Sequence, residues 1–118
     1  MKQLILIFLS LFTYQTAAAI TCHGTEPFWQ AKIISDSFVL DIFGQRKIFS
    51  SIVLSAPHGM PNTNEGFVRV YSDARGPVAT MISQTCNNGM SDNLYPKEII
   101  IYTENGSLYG CCGEVVQQ

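Results

Sequence analysis

Short runs of β-forming residues, separated by turn-forming residues, make up most of this chain. The runs are rich in Ile, Val, Phe and Tyr, and Gly, Pro, Asn and Asp interrupt them at intervals too short for a long helix. The pattern therefore predicts an all-β fold. Its seven candidate strands lie at 28–35, 37–43, 47–54, 66–72, 78–85, 97–103 and 107–116.

Three local features refine this prediction. Apolar residues alternate with mixed ones over 38–42, so one face of that strand is expected in the core. Asn105-Gly106, between two apolar runs, is the typical signal of a tight hairpin. The segment 57–66 is rich in Pro, Gly and Asn, and it is expected to be the longest ordered loop.

The N-terminus has the three parts of an export signal. Lys2 supplies the basic start, an apolar core covers 4–12, and a run of small residues ends at Ala19. We therefore predict a signal peptide at 1–19 and a mature domain at 20–118. The 99 mature residues are enough for one hydrophobic core and too few for two, so a single β domain is expected.

Charge and hydropathy argue against two classes of partner. Seven basic and nine acidic residues give a formal net charge of −2, so no nucleic-acid partner is expected. The signal core is about half the roughly 20 residues of a membrane helix, and no second run of that length follows, so no stable membrane span is expected. Cys22 follows Ala19-Ile20-Thr21, which lacks the Leu and the small residue of a lipoprotein site. These features predict a soluble periplasmic protein.

All four cysteines lie beyond the predicted cleavage site, where they would meet an oxidising compartment. Two disulfides are therefore expected. Pairing Cys22 with Cys86 would force the adjacent Cys111 and Cys112 into a strained vicinal bond. Neighbouring strand residues point to opposite faces, so each of these two is expected to have a different partner. Two connectivities stay open at this point.

No residue pattern specifies a metal site or a reaction. The chain has no Cys-x-x-Cys and its histidines have no ligand spacing to the cysteines, so neither a metal nor a cofactor is expected. Glu26 and Asp92 could act as acid and base, but Glu26 precedes Pro27 and Asp92 suits a turn. Ser91 lacks the Gly-x-Ser-x-Gly context of a hydrolase nucleophile. We therefore expect that this protein is not an enzyme.

Seven or eight short antiparallel strands with two disulfides predict a small β-barrel or a sandwich. Barrel closure is favoured because it removes exposed strand edges. The only tryptophan, Trp29, starts the first predicted strand and so lies at one end of the barrel. Calycin-type barrels also carry a Trp near the start of their first strand, and the analogy is one of position and residue type alone.

Two sequence blocks carry a closer resemblance. GTEPFW lies at 24–29, CNNGMSD at 86–92 is followed by YP at 95–96, and GC lies at 110–111. In these blocks the chain resembles a widespread family of small, uncharacterised Gram-negative envelope proteins of the predicted membrane protein or lipoprotein type. The resemblance implies an envelope location and no established activity, and the stretch 32–84 carries no family signal.

The resemblance also implies a disulfide pairing. Members of this family often lack a cysteine before the first block, and they end with Gly-Cys followed by a residue other than Cys. The resemblance therefore implies that Cys86–Cys111 is the common bridge and that Cys22–Cys112 is an added one.

The same blocks supply candidate binding residues. Apolar side chains there, with Phe28 and Leu94 among them, either pack in the core or line a pocket or a partner-binding patch. The candidate set is Met90, Ser91, Asp92, Tyr95, Glu26 and Trp29. Within it, we expect Trp29 to be primarily architectural. Any recognition surface is expected on the 89–95 loop, which a disulfide of Cys86 would anchor.

These observations favour an exported module that is structural or binds a periplasmic or host protein. Its most specific form is an inhibitor of a C-type lysozyme, because known periplasmic inhibitors are also small, exported, disulfide-bearing β-barrels. The alternative is a carrier of a small apolar ligand in a calycin-like cavity. Ligand pockets begin at about 300 Å³, so a cavity of several hundred Å³ would favour the carrier.

The export signal generates the first prediction. Protein recovered from the periplasm should begin at Ile20, because the small residues of the cleavage site end at Ala19. Intact mass measures this directly. A species that retains 1–19, or one that carries a lipid on Cys22, would contradict the soluble assignment.

Overall fold

The computed structural model describes residues 19–63 and 66–116, and every regular element within them is a β-strand. The predicted all-β class is confirmed. The eleven strands are β1 (Ile20–Thr25), β2 (Phe28–Ile34), β3 (Ser37–Ile42), β4 (Gln45–Phe49), β5 (Val53–Ser55), β6 (Val68–Asp73), β7 (Gly76–Ile82), β8 (Cys86–Asn87), β9 (Leu94–Tyr95), β10 (Lys97–Thr103) and β11 (Gly106–Cys112).

Nine of these strands form one antiparallel sheet, in the order β4-β3-β2-β1-β11-β10-β7-β6-β5, and β8 pairs with β9 in a small second sheet. β1 joins the two parts of the large sheet, because it is hydrogen-bonded to β2 on one side and to β11 on the other. The sheet curls around one core, and its end strands β4 and β5 have no ladder between them. The predicted small antiparallel barrel is therefore present as a half-barrel, open on one side.

The described part of the chain has four strands more than the seven located in the sequence: the two-residue strands β8 and β9, and two others that have local explanations. The prediction missed β1, in which Thr21, His23 and Gly24 dilute the β-forming pattern. The predicted strand at 47–54 is wrong, because it is divided between β4 and β5. The backbone turns between them at Ser51, whose φ is 56°.

The core forms because β2 and β3 bury every second residue, as the alternation predicts. The inward side chains of β2 and β3 meet those of β6, β7 and β10 in one cluster. Its buried members are Cys22, Trp29, Ala31, Ile33, Phe38, Leu40, Tyr71, Val78, Ala79, Met81, Ile99, Ile101 and Cys112. Burying a large aliphatic or aromatic side chain stabilises the fold by about 1.5–3 kcal/mol. These side chains thus form the hydrophobic core of the half-barrel.

Trp29 lies in space that only glycine leaves free. A Cβ atom on Gly24 would lie 2.0 Å from Trp29 Nε1, and one on Gly110 would lie 2.5 Å from Trp29 Cζ2. Gly24 is the cross-strand partner of Trp29 on β1, and Gly110 lies on β11, the next strand of the sheet. The indole therefore packs against the backbone of two neighbouring strands, and the residue is only 3% exposed.

The two disulfides resolve the connectivity that strand geometry leaves open. Cys22 is bonded to Cys112, its direct partner across the β1–β11 pair, and Cys86 is bonded to Cys111. Because adjacent strand residues face opposite ways, Cys112 lies in the main core and Cys111 holds β8 on the other face of β11. The pairing implied by the family resemblance is the pairing observed.

The hairpin and loop predictions hold with one shift in register. The β10–β11 hairpin turns at Glu104 and Asn105, one residue earlier than predicted, and Gly106 follows with a φ of 128°. The described part of the predicted loop at 57–66 contains no strand.

The N-terminal prediction cannot be placed on this fold. Of the predicted signal peptide at 1–19, only Ala19 belongs to the described residues. Within the ranges that the structure describes, no helix has the length and apolar character needed to cross a bilayer.

The burial of Trp29 leads to a prediction with a matched control. Trp29→Ala should lower the free energy of unfolding by about 3–5 kcal/mol, because it leaves a cavity against the backbone of β1 and β11. Phe28→Ala should change it by less than about 0.5 kcal/mol, because Phe28 is 71% exposed. Urea unfolding of the oxidised protein measures both values. Equal losses in the two variants would contradict the core position of Trp29.

Candidate functional site

An open cleft lies at one end of the half-barrel, where β1 ends and β2 begins. Its volume is about 620 Å³. The β3–β4 turn and the loop after β8 complete its walls. We call it the mouth cleft, and its lining residues are His23, Gly24, Thr25, Phe28, Trp29, Gln30, Asp41, Ile42, Phe43, Gly44, Asn88, Met90 and Tyr95.

β2 supplies both the floor and part of the rim of the mouth cleft. Successive strand residues face opposite sides of a sheet, so the side chains of Phe28 and Trp29 point to opposite faces. Trp29 is buried and belongs to the core, whereas Phe28 is exposed at the edge of the cleft. The start of β2 thus provides both the buried floor of the cleft, Trp29, and an exposed apolar side chain, Phe28, that a partner can reach.

Phe43 stands at the rim in an uncommon backbone conformation. Phe43 and Gly44 form the two-residue β3–β4 turn, with φ of 53° and 72°. Positive φ at both turn positions is the type I′ geometry, which favours Asn-Gly, and a bulky residue rarely adopts it. The Phe43 side chain is also 79% exposed. Neither the turn nor the core therefore accounts for a Phe at this position.

The loop after β8 docks against β1 through side chains that both sequence blocks supply. Thr25 Oγ1 donates a hydrogen bond to the carbonyl oxygen of Asn88 at 3.2 Å. Asn88 Nδ2 lies 3.1 Å from His23 Nε2, and the His23 ring packs edge-on against Tyr95 with centroids 4.6 Å apart. These contacts place the two blocks on opposite walls of one cleft.

The loop also holds its own shape. Asn87 Oδ1 accepts the Gly89 N–H at 2.6 Å, and Asn88 Oδ1 accepts the Met90 N–H at 3.0 Å. Such side-chain turns fix a loop without help from a neighbouring strand. With the Cys86 disulfide at its start, the loop presents Met90, which is 63% exposed, from a pre-ordered backbone.

Four of the six predicted site residues come together at this end of the fold. Trp29, Met90 and Tyr95 line the mouth cleft. Glu26 lines a second hollow of about 380 Å³, which Met90 also lines. The two hollows are therefore neighbours that share the wall formed by the loop after β8.

The other two predicted residues lie outside these hollows, and sequence reasoning missed three that lie inside. Ser91 and Asp92 are exposed and line neither hollow, and Ser91 Oγ accepts the N–H of the residue two positions later. The missed residues are His23, Phe43 and Asn88. A Phe next to Gly44, at the end of an alternating run, is the one sequence signal that could have revealed a turn at the rim.

Carboxylates dominate the charge of the two hollows. Their linings include Asp41 and Glu26 and contain no Lys or Arg. Asp41 accepts a hydrogen bond from Arg46 Nε at 2.9 Å, which raises the pKa of Arg46, and this exposed pair adds little stability. Glu26 is exposed at its own hollow. Because Asp41 is paired with Arg46, Glu26 is the carboxylate that favours a positively charged partner.

Tyr109 lines the second hollow and is tied to a carboxylate. Its hydroxyl donates to Glu98 Oε2, and Glu98 Oε1 also accepts from Gln84 Nε2. The hydrogen bond to Glu98, then burial, then the charge of Glu98 raise the pKa of Tyr109 to about 12. The Tyr109 hydroxyl also lies 3.8 Å from Cys86 Sγ. The phenol is thus neutral at physiological pH and positioned beside the disulfide.

Neither metal chemistry nor a known relative supplies a function for this site. Across residues 19–63 and 66–116, no three His, Cys, Asp or Glu side chains are grouped so that they could hold a metal ion. Comparisons with protein-family models, curated proteins and solved structures found no match to this chain. The function has to be argued from the geometry of the mouth cleft.

The Tyr109–Glu98 contact generates a pH prediction. The folded-state pKa of Tyr109 is raised from 10.0 to about 12, so the stabilisation is complete below about pH 10 and is lost as the pH rises to about 12. Glu98→Gln should move this ionisation to lower pH, because it weakens the hydrogen bond that holds the phenol proton and removes the charge that opposes the phenolate. Ultraviolet absorbance titration measures the shift, with Tyr109→Phe to assign the phenol. Identical titration curves for wild type and Glu98→Gln would contradict the contact.

Proposed function

We propose that this protein is an exported periplasmic module that binds a partner protein through the mouth cleft. The observation that carries the proposal is the exposed Phe43 at a strained turn. Phe28 and Met90 stand beside it on the same cleft, and the three residues are 79%, 71% and 63% exposed. Clustered apolar side chains with a polar surround mark interaction sites on soluble proteins.

A protein segment suits the mouth cleft better than an enclosed small ligand does. Small-molecule pockets bury about 70–90% of their ligand, whereas the rim side chains here stand in solvent around an open cleft. The half-barrel interior, where a calycin-like carrier would hold its ligand, contains the fully buried Phe38, Met81 and Ile99. The cleft volume of about 620 Å³ is the one observation that supports the carrier hypothesis.

The pre-ordered loop supports binding in a second way. Association costs about 0.5–1.5 kcal/mol for each flexible side chain that becomes fixed, and more when a loop must order. The turns at Asn87 and Asn88 and the Cys86–Cys111 disulfide fix the loop backbone before any partner arrives. Met90 can therefore act as an anchor with little ordering cost.

The placement of the carboxylates supports binding over catalysis. Glu26 lines the second hollow, and Asp92 lines neither hollow, so this pair does not face one substrate position. Ser91 Oγ accepts a hydrogen bond from the N–H of Asn93 and so stabilises a turn within its own loop. We propose that Glu26 and Asp92 attract a basic partner rather than act as acid and base.

The two disulfides indicate the type of compartment, and we propose that this compartment is the periplasm. Two buried disulfides indicate an oxidising environment, either extracellular or periplasmic. The predicted signal peptide at 1–19 favours the periplasm. We also propose that the chain is a member of the envelope-protein family that its GTEPFW and CNNGMSD blocks resemble.

The acidic rim favours one specific form of the proposal, inhibition of a C-type lysozyme. Asp41 is paired with Arg46, whereas Glu26 lines the second hollow, which contains no Lys or Arg, and this placement suits a basic partner. A partner that inserts an apolar side chain between Phe28 and Phe43 and presents Lys or Arg to Glu26 would match both features of the rim.

Affinity capture from periplasmic extract, quantified with matched variants, tests the proposed function. Met90→Ser and Phe43→Ser should each weaken partner binding at least about tenfold, because each removes an apolar anchor at the cleft. Asp92→Ala should weaken it less. All three should leave the thermal midpoint nearly unchanged, because these side chains are exposed and outside the core.

Val53→Ser is the matched control, since Val53 is 65% exposed and lies on β5, outside the mouth cleft. It should bind like wild type. A partner held equally by wild type and by both cleft variants would contradict the proposal, as would a small molecule that co-purifies in the cleft. An enzyme assay tests the lysozyme form of the proposal: the wild-type protein should inhibit C-type lysozyme, and Phe43→Ser should not. Failure of wild type to inhibit would exclude the lysozyme form alone.

A further inference from the structure

Arg69 is a buried cation on the inner side of the half-barrel. It lies on β6 opposite Met81 of β7 and has no solvent exposure. Met81 is in turn opposite Ile99 of β10, and both belong to the hydrophobic core. The guanidinium therefore stands at an apolar layer of the structure, where a charge is costly.

The Arg69 guanidinium has hydrogen-bond donors without acceptors. Nη2 lies 3.0 Å from Met81 Sδ, a neutral thioether that accepts only weakly. Within the described part of the chain, Nε and Nη1 have no hydrogen-bond partner. An arginine side chain stays protonated in proteins, so the positive charge is not removed by losing a proton.

Tyr71 adds a second buried donor to the same place. It lies two residues further along β6, is 2% exposed, and its hydroxyl lies 4.0 Å from Met81 Sδ. Burial raises the pKa of Tyr71, and the charge of Arg69 offsets only part of that rise. The phenol is therefore neutral, so it can donate a hydrogen bond but cannot balance the charge of Arg69.

Among the residues that the structure describes, the strands near β6 offer Arg69 no carboxylate without another partner. The flanking strands β5 and β7 contain no Asp or Glu. On β6 itself, Asp73 Oδ1 accepts the N–H of Arg75. On β10, Glu98 accepts hydrogen bonds from Gln84 and Tyr109. The carboxylates nearest along these strands therefore have other partners.

We propose that Arg69 and Tyr71 bind a compact monovalent anion, for which chloride is the probe, inside the half-barrel. Arg69 supplies the charge and an unpartnered donor group, and the Tyr71 hydroxyl, which lies beside the same Met81 sulfur, supplies a second. The closely packed core limits the size of the anion. This site is separate from the mouth cleft, whose lining includes neither residue, and it does not depend on the proposed binding function.

Thermal unfolding in chloride and in gluconate at equal ionic strength tests this site, because both anions are monovalent and only chloride is compact. Chloride should raise the thermal midpoint of the oxidised protein in a saturable way. At a chloride concentration ten times its Kd, the folding equilibrium constant should rise about tenfold. Broadening of the ³⁵Cl resonance by the protein measures binding directly.

Arg69→Met keeps an apolar stem and removes the donors, so it should abolish both chloride effects. Arg75→Gln removes an exposed guanidinium from the same region and should preserve them. Tyr71→Phe removes only one hydroxyl and should weaken the chloride response, which keeps the test decisive if Arg69→Met fails to fold. Equal stabilisation by chloride and gluconate, or a wild-type response in Arg69→Met or in Tyr71→Phe, would overturn the proposal.

Discussion

The contact of the Trp29 indole with the backbone at Gly24 and Gly110 is the interaction on which the rest of this structure depends. A Cβ at Gly24 would lie 2.0 Å from the indole, and one at Gly110 would lie 2.1 Å from the carbonyl oxygen of His23. The absence of both side chains lets β2 fold closely over β1 and β11. The same packing closes one end of the core and gives the mouth cleft its floor.

β1 connects this packing to the mouth cleft. It is fastened to β11 by Cys22–Cys112, and its His23 and Thr25 receive the loop after β8 through Asn88. The second disulfide fixes the start of that loop. The fold therefore rests on buried contacts, whereas the exposed side chains of the rim contribute little to it. Because of that separation, rim substitutions are expected to weaken the proposed partner binding without unfolding the protein.

The alternation of residues within each strand was enough to predict much of the fold. The rest of the site depends on which strands pair and in what register, and a local pattern does not show this. Alternation along β2 indicated that Trp29 and its neighbour face opposite ways, which is a property of any strand. Phe43 was expected in a strand, because Gly44 beside it was the only local sign that the β3–β4 pairing ends there. The contact of Asn88 with His23 joins the loop after β8 to β1, a strand that the pattern did not predict. Arg69 sits at an inward position that period-2 alternation would assign to an apolar residue.

Acrylamide quenching of tryptophan fluorescence tests the central claim most directly, because Trp29 is the only tryptophan in the chain. The oxidised wild-type protein should show blue-shifted emission and weak quenching. Gly24→Ala, whose added methyl group would overlap the indole, should shift the emission to the red and increase quenching. Strong quenching of the folded wild-type protein, equal to that of Gly24→Ala, would contradict the account, because Trp29 would then not form the buried floor of the mouth cleft.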